Sequence, residues 1–304
     1  MYSFGDVLGN EHIKRSMVAS VLHGRVSHAY IICGGAGFGK KLLAHAFAKV
    51  ILCGDADGGQ ACGVCKSCKT YDSGNNPDIS VVSSEKQSLG VTEVREDILE
   101  GVAVLPFASS KRVYIIPNAH TMTPAAQNAM LLTLEDGPKH AVFLLLADGM
   151  GAFLPTLLSR CIVYKIPPLD GKIIYEYLIG QNVPHEKAQM AAQFCGGGIG
   201  RAMTLANDED FAQLRDMVLG IANNIEIMDI PAIFAAAKAI EGHKDQIGDI
   251  LDIFQSHYRD ALIAQSNRGV LPKIRAIWDA KEKLKRNCNF LLTIEVMLLK
   301  CSAR

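Results

Sequence analysis

Two hydrophobic patterns alternate along the first half of the chain. Ala29-Tyr-Ile-Ile-Cys33 is apolar at every position and rich in β-branched residues, and it stops at Gly34-Gly35. From Gly39 onward the spacing changes, with Leu43, Phe47, Val50 and Ile51 recurring at helical intervals. This reads as strand, glycine loop, helix. Strand-like runs follow at Asp78–Val82, Arg112–Ile116 and Ala141–Ala147, with a shorter one at Cys161–Ile166. Continuous hydrophobicity of this kind suits strands covered on both faces of a parallel sheet. Val91–Val104 and Pro124–Glu135 between them suit helices; Pro124 fits a first helical turn, and Gly137-Pro138 ends that helix. Strands alternating with helices predict an α/β domain over residues 1–166. Beyond Pro167-Pro168 no strand pattern recurs. Residues 167–207 predict a small helical domain, interrupted by Cys195-Gly-Gly-Gly-Ile-Gly200. Residues 208–304 predict a helical C-terminal domain, with amphipathic stretches at Phe234–Ile240, Ile247–Ile263 and Ile294–Leu299.

The glycine loop carries the first chemistry. Gly34, Gly35, Ala36, Gly37, Phe38, Gly39 and Lys40 match G-x-x-x-x-G-K between a strand and a helix. There the backbone can curl so that its N–H groups face phosphate oxygens, with the helix N-terminus adding its dipole and Lys40 its charge. Two hydrolytic parts are missing. Lys41 stands where a Ser or Thr hydroxyl would ligate magnesium, and an ammonium has no lone pair to offer a cation. The strand Val113–Ile116 runs into Pro117-Asn118 where an acidic pair would hold metal and water. Nucleotide can bind such a loop; efficient hydrolysis is not expected.

Cys53, Cys62, Cys65 and Cys68 form C-x8-C-x2-C-x2-C within sixteen residues. Four thiolates so close can enclose one tetrahedral zinc ion, and four protein ligands leave no open position for substrate, so the expected role is structural. An iron–sulfur cluster uses the same ligand type. Cys33, Cys161, Cys195, Cys288 and Cys301 are expected to pack as small apolar residues.

Composition narrows the remaining classes. Thirty-one basic and 31 acidic residues give a formal net charge of zero, which opposes a protein whose main work is coating nucleic acid. It opposes a zinc-dependent DNA-binding module on the same ground. A charged fraction of 20% and a mean hydropathy of +0.16 argue against disorder. No apolar run reaches the length of a membrane span, and the N-terminus lacks a basic segment followed by an apolar core. The expected setting is cytoplasmic, with no membrane contact, where nine cysteines would not form a disulfide framework. The basic run Lys281–Arg286 reads as a solvated helix face, and His120 has no partner in sequence that would make it catalytic.

Taken in order, Ser27-His28-Ala29-Tyr30, the phosphate loop, the four cysteines, Asn128–Glu135, Pro155 and Ser159-Arg160-Cys161 resemble the clamp-loader branch of the AAA+ family. The resemblance spans all three predicted parts and is weakest in the C-terminal helices. It implies a P-loop α/β domain with an inserted zinc module (53–68), a helical lid and an all-α collar. It also implies a place in a hetero-pentameric ring with gamma/tau and delta subunits, loading a sliding clamp onto primed DNA. By the same resemblance Arg160 is an arginine finger supplied in trans to a neighbour's ATP; the alternative is that it ties its own loop to an acidic residue. Arg201 falls at the family's second nucleotide sensor. Asp148 replaces the polar residue expected at the first, an unfavourable charge to set against a triphosphate. The rival reading, an active AAA+ ATPase of gamma/tau or helicase-loader type, requires the parts that Lys41 and Pro117-Asn118 lack.

Overall fold

A computed structural model describes residues 2–82, 88–265 and 268–302. The chain divides into two compact units. The first comprises residues up to Glu176 together with Gly197–Ala202; the second comprises Tyr177–Gly196 and Met203–Arg304. Packing thus groups residues 177–196 and 203–207 with the C-terminal helices.

The first unit runs α1 (Glu11–Leu22), β1 (Ala29–Cys33), α2 (Lys40–Leu52), α3 (Lys66–Asp72) and β2 (Ile79–Val81). Then come α4 (Val91–Val94), a π-helical turn (Arg95–Leu99), α5 (Glu100–Val102), β3 (Arg112–Ile116), α6 (Pro124–Asp136), β4 (Ala141–Ala147), α7 (Pro155–Leu158) and β5 (Ile162–Lys165). The strands form one parallel sheet in the order β2-β3-β4-β1-β5. Alternate residues of β1 enter different cores: Tyr30 and Ile32 pack with Leu43, Phe47 and Met17, while Ala29 and Ile31 pack with Ile98, Met130 and Leu134. Each face is covered by helices, and for that reason β1, β4 and, after Arg112, β3 are apolar. α6 begins as its sequence dictates, with Pro124 in the first turn and the Thr123 hydroxyl accepting from the Ala126 N–H.

Several element boundaries differ from the sequence expectation. The helix expected to reach Val104 ends at Val102 and carries the π turn. β2 begins at Ile79, because the Asp78 side chain is turned inward as a loop anchor. β5 is confined to Ile162–Lys165.

α8 (Gly171–Gly180) and α10 (Ile199–Asn207) cross the boundaries between the units, and α9 (His185–Phe194) lies wholly in the second. That unit continues with α11 (Glu209–Asn224), α12 (Ile230–Glu241), α13 (Ile247–Gln265), α14 (Leu271–Lys285) and α15 (Phe290–Ser302). α13 packs on α11, α14 and α9, and α15 on α14 and α12. Phe211, Phe254, Tyr258, Ile277, Ile294 and Leu298 are buried there. Among the described residues no strand follows Lys165, and no helix is long and apolar enough to cross a membrane.

Candidate nucleotide and metal sites

Parallel order places the loops after β1, β3 and β4 at one edge of the sheet, the edge where such folds bind ligands. Gly34–Gly39 leaves β1 there. The Gly34 N–H donates to the Ala147 carbonyl (3.1 Å), and the Leu43 N–H to that of Gly39 (2.9 Å), fastening the loop at both ends. Gly37 has φ +77°, and a Cβ on it would lie 2.7 Å from the Arg201 nitrogen. The Gly200 N–H donates to the Gly37 carbonyl (2.9 Å), so the backbone of 197–202 rests directly on the loop. Only glycine serves at residue 37, for conformation and for space alike.

Lys40 opens α2 with its ammonium turned back into the loop. It donates to the carbonyls of Gly34 and Gly35 (2.9 Å to the latter) and to Asp148 Oδ1 (2.7 Å). Asp148 Oδ2 is 3.8 Å from His120 Nε2. Lys41 is exposed, and Asn118, at the start of a short 3-10 turn (Ala119–Thr121), is exposed too. The curled backbone, Lys40 and Arg201's place beside Gly37 fit a nucleotide's phosphates. The magnesium ligand and the acidic pair do not fit, and the carboxylate that is present belongs to Asp148 and is already paired.

Ser159 and Arg160 follow α7. The Arg160 guanidinium donates to the Thr156 carbonyl (2.8 Å) and forms an ion pair with Glu135 at the end of α6. Arg160 is one-third exposed and Glu135 somewhat more. Within one chain, therefore, Arg160 is tied to its own acidic residue, the alternative named from the sequence. Burial pushes the Cys161 thiol up to about 12, as befits a packing residue.

The four cysteines of the cluster converge. Cys53 ends α2, Cys65 caps α3, Cys68 lies inside α3 and Cys62 sits in the loop between. One sulfur from each lies within 4.8 Å of the others. The Cys53 sulfur is 3.5 Å from that of Cys62 and 4.0 Å from that of Cys65. Four sulfurs about 2.3 Å from a tetrahedral ion stand about 3.8 Å apart, so this spacing fits one metal ion. Backbone N–H groups of Cys62, Cys65 and Cys68 point at the sulfurs of Cys53, Cys62 and Cys65 (3.3–3.4 Å), an arrangement that favours thiolates. Burial pushes the Cys65 thiol up, but the Cys68 and Gly54 N–H groups and the adjacent Cys68 and Cys62 thiols outweigh it, bringing Cys65 down to about 6. Burial raises Cys53 and Cys68.

The segment that carries the four cysteines is braced on two sides. Lys49 on α2 pairs with both oxygens of Asp72 on α3 (2.7 and 2.8 Å), and His45 Nδ1 lies 2.8 Å from the Tyr71 hydroxyl. On the other side, the hydroxyls of Ser67 and Ser109 are 3.2 Å apart, and Lys66 lies 5.9 Å from the centre of the Phe107 ring.

That second brace leads to a residue that sequence reasoning missed. Asp78 is 1% exposed and accepts the N–H groups of Phe107 (2.6 Å), Ala108 (2.8 Å) and Ser109 (2.7 Å). The loop so held presents Leu105 and Phe107, 73% and 79% exposed, to solvent. An aspartate before a strand gives no sign of a partner some thirty residues away. Glu135 was likewise visible only as part of a motif, not as the partner of Arg160. Two of the four basic residues in the run Lys281–Arg286 form ion pairs, Lys281 with Asp252 (2.6 Å) and Lys285 with Glu282 (3.0 Å).

A family model described as "DNA polymerase III, delta subunit" matches residues 9–170. The DNA polymerase III subunit delta' of Bacillus subtilis (strain 168) is 28% identical over 314 aligned positions, covering 94% of each chain. Subunit tau of the same organism is 36% identical over 158 positions, covering 52% of this chain and 28% of tau. The chain spans about a third of the length of the tau and tau/gamma relatives it matches. A gamma subunit-related protein of Thermotoga maritima superposes with a TM-score of 0.45 at 14% identity, covering 96% of this chain and 98% of that one. The family match covers more than half of the chain, including the phosphate loop, the cysteine cluster and Arg160, and on that ground the chain belongs to the DNA polymerase III delta-subunit family of clamp loaders.

Proposed function

We propose that this chain is the delta'-type, largely non-hydrolysing subunit of a DNA polymerase III clamp loader. It works in the cytoplasm beside gamma/tau and delta subunits in a five-membered ring, and the ring places a sliding clamp on primed DNA. One pairing of observations carries the reading: the phosphate loop keeps its backbone and Lys40 but lacks a magnesium ligand, while Ser159-Arg160-Cys161 is intact at the edge of the same unit. A chain whose own loop has lost its hydrolytic parts but which keeps the Ser-Arg-Cys arginine is suited to assist a neighbour.

In this reading Arg160 exchanges Glu135 for the γ-phosphate held by the adjacent ATPase subunit. A planar, permanently charged guanidinium can stabilise charge developing on a transferred phosphoryl group. Its partly exposed position on Glu135 allows the exchange, since surface ion pairs are worth about 0–1 kcal/mol. Residues 167–207 act as the lid and 208–304 as the collar that joins the subunits. Cys53, Cys62, Cys65 and Cys68 hold one structural zinc ion; an iron–sulfur cluster, with its irons at separate corners, would spread the sulfurs farther than they stand. ATP can enter the Gly34–Lys41 loop, with Arg201 beside it, but is not turned over there.

The higher identity to tau over 158 residues favours a second reading, an active ATPase of gamma/tau type. The two are separated by assaying the purified chain alone and with its expected partners. The delta'-type reading expects co-purification with gamma/tau and delta subunits and no magnesium-dependent ATP turnover by the chain alone. Turnover near 1 per second, ordinary for a working enzyme, would establish the second reading instead.

A further inference from the structure

We propose that Asp148 is a built-in counterion of the phosphate loop, competing in cis with nucleotide phosphates for Lys40 and so setting the loop's affinity. The inference deepens the reading of Gly34–Lys41 as a degenerate nucleotide site and rests on it.

The first argument is a count of donors. A lysine ammonium carries three N–H groups and no acceptor. Lys40 has three acceptors around it: the Gly34 carbonyl, the Gly35 carbonyl and Asp148 Oδ1. The Lys40 side chain is only 13% exposed, so little water competes for it. A phosphate oxygen reaching Lys40 must displace one of these acceptors, and the only anion among them is the Asp148 carboxylate.

The second argument is topological. β1 and β4 are adjacent parallel strands in which Cys33 stands opposite Ala147, and the Gly34 N–H bonds the Ala147 carbonyl. The register carries the chain one residue further to Asp148, beside the beginning of the loop. Whatever residue stands at 148 faces the loop, and the side chain there decides what the loop meets. A neutral polar group could hydrogen-bond a phosphate. A carboxylate repels it and satisfies the lysine in its place. His120, 3.8 Å from the other carboxylate oxygen, lies on the far side of the pair.

The pairing is removable without threatening the fold, because the Asp148 side chain is 57% exposed and belongs to neither hydrophobic core. Substitution should therefore change binding and leave folding intact. It should not restore hydrolysis, since Lys41 and Asn118 remain.

The test measures binding of a fluorescent ATP analogue to the full-length chain, with and without magnesium, for the parent, Asp148→Asn, Lys40→Met and the double variant, each checked for an unchanged melting temperature. The expected result is at least tenfold tighter binding by Asp148→Asn. The double variant should bind no more tightly than Lys40→Met alone. A change of less than twofold in Asp148→Asn, or weaker binding, would overturn the proposal. So would a gain that persists without Lys40, since the effect would then be diffuse charge rather than competition for the ammonium. Absence of measurable binding in every variant would instead remove the underlying reading of the loop, and co-purification with ring subunits is unaffected by any of these outcomes.

Discussion

Replacing Asp78 by Asn tests the loop anchor with almost no change of volume. Oδ1 of the aspartate accepts the Phe107 N–H, and Oδ2 accepts those of Ala108 and Ser109. An asparagine offers one oxygen and one NH2. If its oxygen takes the place of Oδ2, the NH2 faces the Phe107 N–H; if reversed, it faces two donors. The side chain cannot swing away, because its backbone is held by Asp78 N–H to Asn76 Oδ1 (2.9 Å) and by Val113 N–H to the Asp78 carbonyl (2.8 Å). At least one charge-assisted hydrogen bond is lost and one buried N–H is left facing another donor, at an expected cost of about 2–4 kcal/mol. For a unit of this size that is a fall of roughly 5–12 °C in melting temperature. Asp78→Ala, which orphans all three N–H groups, should cost at least as much. Thermal unfolding by circular dichroism gives the magnitude, and amide hydrogen exchange at residues 107–109 gives its place. An Asn variant that melts within about 1 °C of the parent, in the range of a neutral surface change, with those amides still protected, would refute the reasoning.

Three further outcomes are expected. Protein purified without chelator should contain about one zinc ion per chain, and Cys62→Ser should lose it and loosen the segment between α2 and α3; metal analysis and hydrogen exchange check both, and full metal content in the variant would count against the ligand set. Glu135→Ala should lower the melting temperature by less than about 3 °C, because it removes only a partly exposed ion pair; a larger loss would make Glu135 a structural anchor rather than a resting partner for Arg160. His45 is held below its ordinary value of 6.5 by burial and by the Lys41 charge. The unfolded chain therefore takes up the proton first, and the stability His45 contributes is present above pH 6.5 and lost as the pH falls through the folded value. Denaturant titrations at pH 7.5 and below should show a steeper acid-side decline in the parent than in His45→Phe.

How much of this could be read from the sequence depended on whether the physics was local. β1, β3 and β4 end where the sequence places them because burial on both faces forces all their positions but Arg112 to be apolar. β2 and β5 lie at the sheet edges with exposed positions, and their ends blur. The cysteine cluster and the glycine loop were legible because their residues are close in sequence and their chemistry demands that spacing. Pairings made by topology were not legible. Lys40 meets Asp148 only because β1 lies beside β4, and Arg160 meets Glu135 only because α7 returns to the end of α6. Asp148 could be read as an unwelcome charge, but its role as the lysine's partner needed the register. The π turn at Arg95–Leu99 interrupts a helix whose apolar spacing gave no warning of it.

The claim at the centre of this account is that Arg160 acts outside its own chain. Its most direct test is the clamp- and DNA-stimulated ATPase activity of a ring assembled from gamma/tau, delta and this chain, comparing the parent with Arg160→Ala. The account predicts that the variant assembles normally, that hydrolysis at the one site Arg160 reaches falls at least tenfold, and that the ATPase activity of the ring drops measurably as a result. An assembled variant ring that hydrolyses ATP at the parent rate would contradict it.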